Sequence, residues 1–211
     1  MNSVDKLLAK KLLGVSAVKL QPKNPFTWAS GWKSPIYTDN RKTLSFPDVR
    51  TFVKVELTRL IKEKFAEFDV IAGVATGAIA QGALIADELN MPYVYIRSAA
   101  KDHGMGNLIE GEIKPGQKVV VVEDLISTGG SSLKAVEAVR QAGCEVVGMV
   151  AIFTYGFPLA EEKFNEAGVT LYTLSNYNAV LEAAAETGYI NSEDIETLKV
   201  WRENPSQWMQ E

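Results

Sequence analysis

The sequence predicts an α/β fold: a mostly parallel open sheet flanked by helices and preceded by a small N-terminal hood. Three observations lead there. After Phe68, short apolar runs alternate regularly with amphipathic helical patterns, the order that builds a parallel sheet with helices on both sides. The runs are rich in valine and isoleucine and apolar on both faces, as buried parallel strands are. At 211 residues the chain can bury roughly two-thirds to three-quarters of its unfolded surface, ample for such a core.

Each element has its own signal. Val4, Leu7, Leu8 and Leu12 recur at helical spacing, with Ser3 placed to cap. Residues 18–41 mix aromatics, Pro and Gly, which reads as short strands and turns. Pro47 opens a long helix with Phe52, Val53, Leu57, Leu60, Ile61 and Phe65 on one face. Strands are expected at 69–74, 93–96, 118–122, 145–153 and 169–174, and helices at 79–89, 131–142 and 158–167. Two more helices follow, near 179–187 and from Ser192 to about Arg202. The chain reads as one domain over 1–211, about 1–45 forming the first helix and hood and about 46–211 the α/β core with its C-terminal helices.

Composition removes several functions. Hydrophobic residues make up 46 % and charged residues 23 %, which excludes disorder, collagen and coiled coil. A net charge of −4 provides no basic field to draw in nucleic acid or anionic lipid. A single cysteine, Cys144, rules out a disulfide framework or a cysteine-rich zinc site, and reads as a buried inert thiol. A single histidine, His103, rules out a multi-histidine metal centre. Lysines among the first leucines are unlike a signal peptide, and the longest uncharged apolar stretch, 146–153, is too short for a bilayer. The expectation is a soluble cytoplasmic protein without nucleic-acid or membrane partners.

Ligands of open parallel sheets bind beyond the carboxyl ends of the strands. The stretch after the third core strand is the most informative: Glu123-Asp124-Leu125-Ile126-Ser127-Thr128-Gly129-Gly130-Ser131. Its glycines let successive N–H groups point into one space, and the helix that follows adds partial positive charge. That is a phosphate cradle with hydroxyls from Ser127, Thr128 and Ser131. It lacks the lysine ending of a Walker loop and the spacing of a dinucleotide fingerprint. Two acids just upstream would repel phosphate, so ribose hydroxyls are their natural ligand. A solvated acidic strand end before an ordinary helix is the plainer reading, and it suits a lone Thr-Gly-Gly better than this whole string. The loop from Arg97 through Lys101 and His103 to Gly111 is long, polar and rich in glycine. Read alone, it fits equally a cationic lid over a departing anion or a solvated connection.

The string from Glu123 to Ser131 resembles the signature of type I phosphoribosyltransferases, which bind 5-phospho-α-D-ribose 1-diphosphate. Arg97-x-x-x-Lys101-Asp-His103-Gly is similar to the catalytic loop of the orotate phosphoribosyltransferases within that family. Ser30-Gly-Trp-Lys-Ser-Pro-Ile-Tyr37 is similar to their base-side segment, and Gly73-Val-Ala-Thr-Gly77 to their first core loop. The likeness runs from about Phe26 to Thr154. It departs where Ser98, Ala29 and Thr76-Gly77 replace family basic residues, and where 153–157 lacks an arginine for the orotate carboxylate.

The resemblance implies the type I phosphoribosyltransferase fold and transfer of the phosphoribosyl group to orotate, giving orotidine 5′-monophosphate and diphosphate in UMP biosynthesis. It implies phosphoribosyl-diphosphate binding by Arg97, Lys101, His103 and every residue from Glu123 to Ser131, with Lys101, His103 and Asp124 catalytic and Ser127 touching orotate. It implies Mg²⁺ held mainly by substrate rather than by protein ligands, and a homodimer with shared active sites. A transferase for another base, or a phosphoribosyl-diphosphate-sensing regulator, are the alternatives; a regulator would want a DNA-binding domain that this chain does not show. Trp28 and Trp32 could stack on a base or pack the hood. Trp201 and Trp208 read as packing, and Lys6, Lys10 and Lys11 as a solvated helix face.

Overall fold

The computed structural model describes residues 3–28, 30–99 and 108–209. Lys101 and His103 lie outside the described residues. The N-terminal part comprises α1 (Ser3–Gly14), β1 (Val18–Leu20), β2 (Phe26–Thr27), β3 (Lys33–Ser34), β4 (Ile36–Thr38), a 3-10 turn (Asn40–Ser45) and α2 (Pro47–Lys64). The core follows as β5 (Val70–Val74), α3 (Ile79–Leu89), β6 (Tyr93–Ile96), β7 (Ile109–Glu110), β8 (Lys118–Ile126), α4 (Gly130–Gln141), β9 (Glu145–Thr154), α5 (Pro158–Glu166) and β10 (Leu171–Asn176). Helices α6 (Tyr177–Glu186) and α7 (Ser192–Glu203) close the chain.

Six strands form one sheet in the order β10-β9-β8-β5-β6-β7, parallel except for the edge strand β7. Chain order reverses direction between β5 and β8, the switch point where such sheets leave a crevice. The valines of β8 show how the sheet is covered. Val120 and Val122 point into a core built with α1, α2, α3 and α6, while Val119 and Val121 join α4 and α5 on the other face. Helix α2 buries Val53, Leu57 and Ile61 at four-residue spacing.

Two expectations need correcting. The third core strand continues past Val122 to Ile126, because β9 runs on to Thr154 and pairs with Leu125 and Ile126. The acids therefore sit on the strand, not in a loop. The stretch from Arg97 to Gly111 is not all loop either: Ile109 and Glu110 pair antiparallel with Ile96 and Tyr95. The lysines of α1 stay at the surface, as expected, and find partners there. Lys6 and Lys10 pair with Glu186 of α6, and the Lys11 ammonium sits 5.2 Å over the Phe52 ring. Cys144 is buried and its thiol is pushed up by desolvation, so the inert reading stands.

The hood is two small antiparallel ribbons, β1 with β4 and β2 with β3. Tryptophans tie it down. Trp28 Nε1 donates to the Ile36 carbonyl at 3.1 Å, and Trp201 Nε1 of α7 donates to the Lys33 carbonyl at 3.1 Å. Trp201 is fully buried and spent on packing, edge-on at 5.6 Å to Trp28, which is itself only half-buried. Among the described residues no helix is long and apolar enough to cross a membrane.

Candidate active site

The crevice between β5 and β8 opens into a cavity of about 270 Å³ lined by Val74 to Gly77, Glu123 to Leu125, Ser127 to Gly129 and Ser131. Most of the predicted stretch is thus brought together. Ile126 does not join it: the alternation of faces breaks after Asp124, and Ile126 lies fully buried in the α4–α5 core. Gly130 faces an adjoining recess instead.

Gly129 takes a left-handed conformation, φ 77°, immediately before α4 and offers no side-chain cap. The first N–H groups of the helix are therefore left for a ligand, beside the hydroxyls of Ser127, Thr128 and Ser131.

Strand alternation separates the two acids. Glu123 falls on the α4 side, where its Oε2 accepts from Ser132 Oγ at 2.9 Å and its Oε1 from the Asp124 N–H at 2.8 Å. Only 5 % of it is exposed. Asp124 falls on the other side, its carboxylate against the Cα of Gly77, where no side chain could fit without displacing it. Burial pushes the Glu123 carboxyl up to about 8, with the neighbouring Asp124 charge adding to the push. Burial also raises Asp124, opposed first by its hydrogen bond with Glu123 and then by the charge of Arg41.

Arg97 stands apart from this cavity. It lines the adjoining recess, with Ser98, Leu108 and Lys134, and its guanidinium is 3.4 Å from Glu110. The two hollows share Val74, Ala75 and Ser131 as a common wall.

Four site residues escaped the sequence reading: Gly77 as the seat of Asp124, Ser132 as donor to Glu123, and Asn40 and Arg41 from the hood. The available signals were the serine doublet Ser131-Ser132 at the helix start and the likeness of Gly73–Gly77 to the family's first core loop, which did not reveal what Gly77 seats. Nothing in the sequence tells that Asn40, 84 positions earlier, meets Asp124.

A sheet switch point with an uncapped glycine start to its helix and an acid-bearing strand end defines a phosphoribosyltransferase site. The model of the phosphoribosyl transferase domain family matches residues 53–182. The orotate phosphoribosyltransferase of Bacteroides thetaiotaomicron is 68 % identical over 208 residues, 99 % of this chain and 98 % of that protein. Among solved structures, that of orotate phosphoribosyltransferase from Aeropyrum pernix is 30 % identical with a TM-score of 0.76, covering 87 % of this chain and 99 % of the other. The UMP synthase of Leishmania donovani superposes with a TM-score of 0.80 at 29 % identity; the match covers 94 % of this chain and 42 % of that longer one. The chain belongs to the orotate phosphoribosyltransferase family.

Proposed function

We propose that this protein transfers the phosphoribosyl group of 5-phospho-α-D-ribose 1-diphosphate to orotate, yielding orotidine 5′-monophosphate and diphosphate. The observation that supports it most directly is the pairing of Asp124 with the open α4 start across one small cavity. The N–H groups and hydroxyls from Ser127 to Ser131 hold the 5′-phosphate, which fixes the ribose. Asp124 then accepts from a ribose hydroxyl. Glu123 stands behind it, shaping its position and charge.

In the reaction the bond from the anomeric carbon to the diphosphate oxygen breaks, and the electron pair leaves with the diphosphate. The sugar becomes oxocarbenium-like, and orotate N1 closes on that carbon, its proton passing to solvent. The Asp124 carboxylate favours the cationic ring, an interaction stronger in the transition state than in the ground state. Arg97, Lys101 and His103 are assigned to the departing diphosphate on the strength of the loop resemblance. Lys101 is the principal electrostatic catalyst, and the loop serves the site of the partner chain in a homodimer.

Among the described residues no three acidic, histidine or cysteine side chains converge. That donor set fits a Mg²⁺ carried in on the diphosphate and ribose oxygens, where it would neutralise the leaving group. The setting is the cytoplasm, in pyrimidine synthesis.

The direct test follows orotate absorbance after adding phosphoribosyl diphosphate and Mg²⁺. Loss of the orotate signal is expected. Turnover with hypoxanthine or uracil but not orotate would reassign the base, and no turnover with any base would favour a sensor.

A further inference from the structure

The sheet stops supporting Asp124 just before the site. Strand β5 accompanies β8 only as far as Val122, so beyond that residue β8 has lost its neighbour on the crevice side. Side chains replace it. The Asp124 N–H is taken by Glu123 Oε1, and the Asp124 carbonyl accepts from Asn40 Nδ2 at 2.6 Å. Asn40 is 2 % exposed, and its Oδ1 has no hydrogen-bond partner among the described residues. An amide inserted only to stabilise the fold would be expected to satisfy both of its ends. Asn40 heads a rigid turn: Thr43 Oγ1 donates to the Asn40 carbonyl at 2.6 Å. The next residue, Arg41, is held in a fork by Asp39, Nε to Oδ1 at 2.7 Å and Nη2 to Oδ2 at 3.1 Å.

We propose that Asn40 is a positioning residue for the reaction. From the hood it replaces the missing strand, and by holding the Asp124 main chain it fixes where the Asp124 carboxylate meets the ribose. The proposal rests on the role given to Asp124 above. It deepens that reading by making the hood a structural part of the ribose site rather than only a cover for the base.

The test is a double-mutant cycle read by calorimetric titration of phosphoribosyl diphosphate with Mg²⁺, which needs no base. Asn40→Leu keeps the bulk and removes the donor. It should weaken binding about tenfold, the scale of one hydrogen bond to a critical group. In an Asp124→Asn background the same change should add nothing, because Asn40 acts through Asp124. Thr43→Val is the structural control. It loosens the same turn without touching Asp124, and should lower the melting temperature comparably while leaving affinity within about twofold. Multiplicative losses in the double variant, or equal loss of affinity in Thr43→Val, would overturn the positioning role alone. A wild type that binds no phosphoribosyl diphosphate would overturn the reading of the site, and this proposal with it.

Discussion

Ser132 Oγ donates to Glu123 Oε2 at 2.9 Å, so the first turn of α4 grips the acid that stands behind Asp124. The start of α4 and the acid-bearing end of β8 are therefore one mechanical unit. What binds at one end is held in register with the other. A buried carboxyl in this position also makes stability depend on pH.

Burial raises Glu123 from 4.5 to about 8, so between those values the folded chain binds its proton more tightly than the unfolded chain. The stabilisation this proton confers is complete below about 4.5 and is lost as pH rises through about 8. Glu123→Gln should remove that part of the decline. Urea unfolding of both proteins at pH 5 and pH 8.5 should show a steeper fall for wild type. Ser132→Ala removes a donor that favours the ionised form, so its fall should extend to higher pH. Parallel curves for wild type and Glu123→Gln would mean that the carboxyl is not held protonated.

Gly77 is where Asp124 rests. A methyl group there must push the Asp124 carboxylate aside, since the two would overlap. Gly77→Ala should cost tenfold or more in kcat/KM, because misplacing a reacting group by about 1 Å has effects on that scale. The melting temperature should move little, as a side chain yields rather than the backbone. Unchanged kinetics would show that Asp124 is not needed at this spot.

Gly129 faces two demands at once. Its φ of 77° is one that a β-branched residue resists, and an added Cβ would lie 3.0 Å from Phe164 of α5. Gly129→Val should cost about 1–3 kcal/mol of stability and abolish binding of phosphoribosyl diphosphate. Titration of the folded variant checks this; retained affinity would remove the α4 start from the phosphate site.

Lys101 lies outside the described residues, and its role is tested through the assembly. Lys101→Ala should lower kcat on the order of a hundredfold or more with smaller effect on substrate affinity. Asp124→Ala should be inactive by itself. If the loop serves the partner chain's site, exchanging the two variants gives mixed dimers with one intact site and one doubly damaged site. Random equal mixing should then restore about a quarter of wild-type activity, since half the dimers are mixed and each has one good site. Exchange without recovery would mean that each site is built within one chain.

Much of this architecture was legible in the sequence because its signals are local. Valine-rich runs read as β5, β8 and β9, and helical periodicity placed α3 at its observed bounds. A glycine pair before a helical pattern marked where α4 begins, with Gly129 left-handed at its start. The end of β8 was missed by four residues because Glu123 and Asp124 break the apolar run there, although backbone pairing with β9 continues. Strand pairing is indifferent to side-chain polarity, and a site at a strand's end is where the two part company.

The sequence by itself determined the class of fold and the motif that carries the family resemblance. Only the tertiary structure decided what each acid does. One residue of pleat turned Glu123 into the α4 face and Asp124 toward Gly77, giving adjacent carboxyls different burial and different partners. Tertiary packing also decided that Asn40, from the hood, would stand in for a strand that ends too soon. Periodicity is carried by neighbours a few residues apart. The hydrogen bond from Asn40 to Asp124 spans 84, and contacts of that separation leave no local pattern; they exist only once the sheet has brought their elements together.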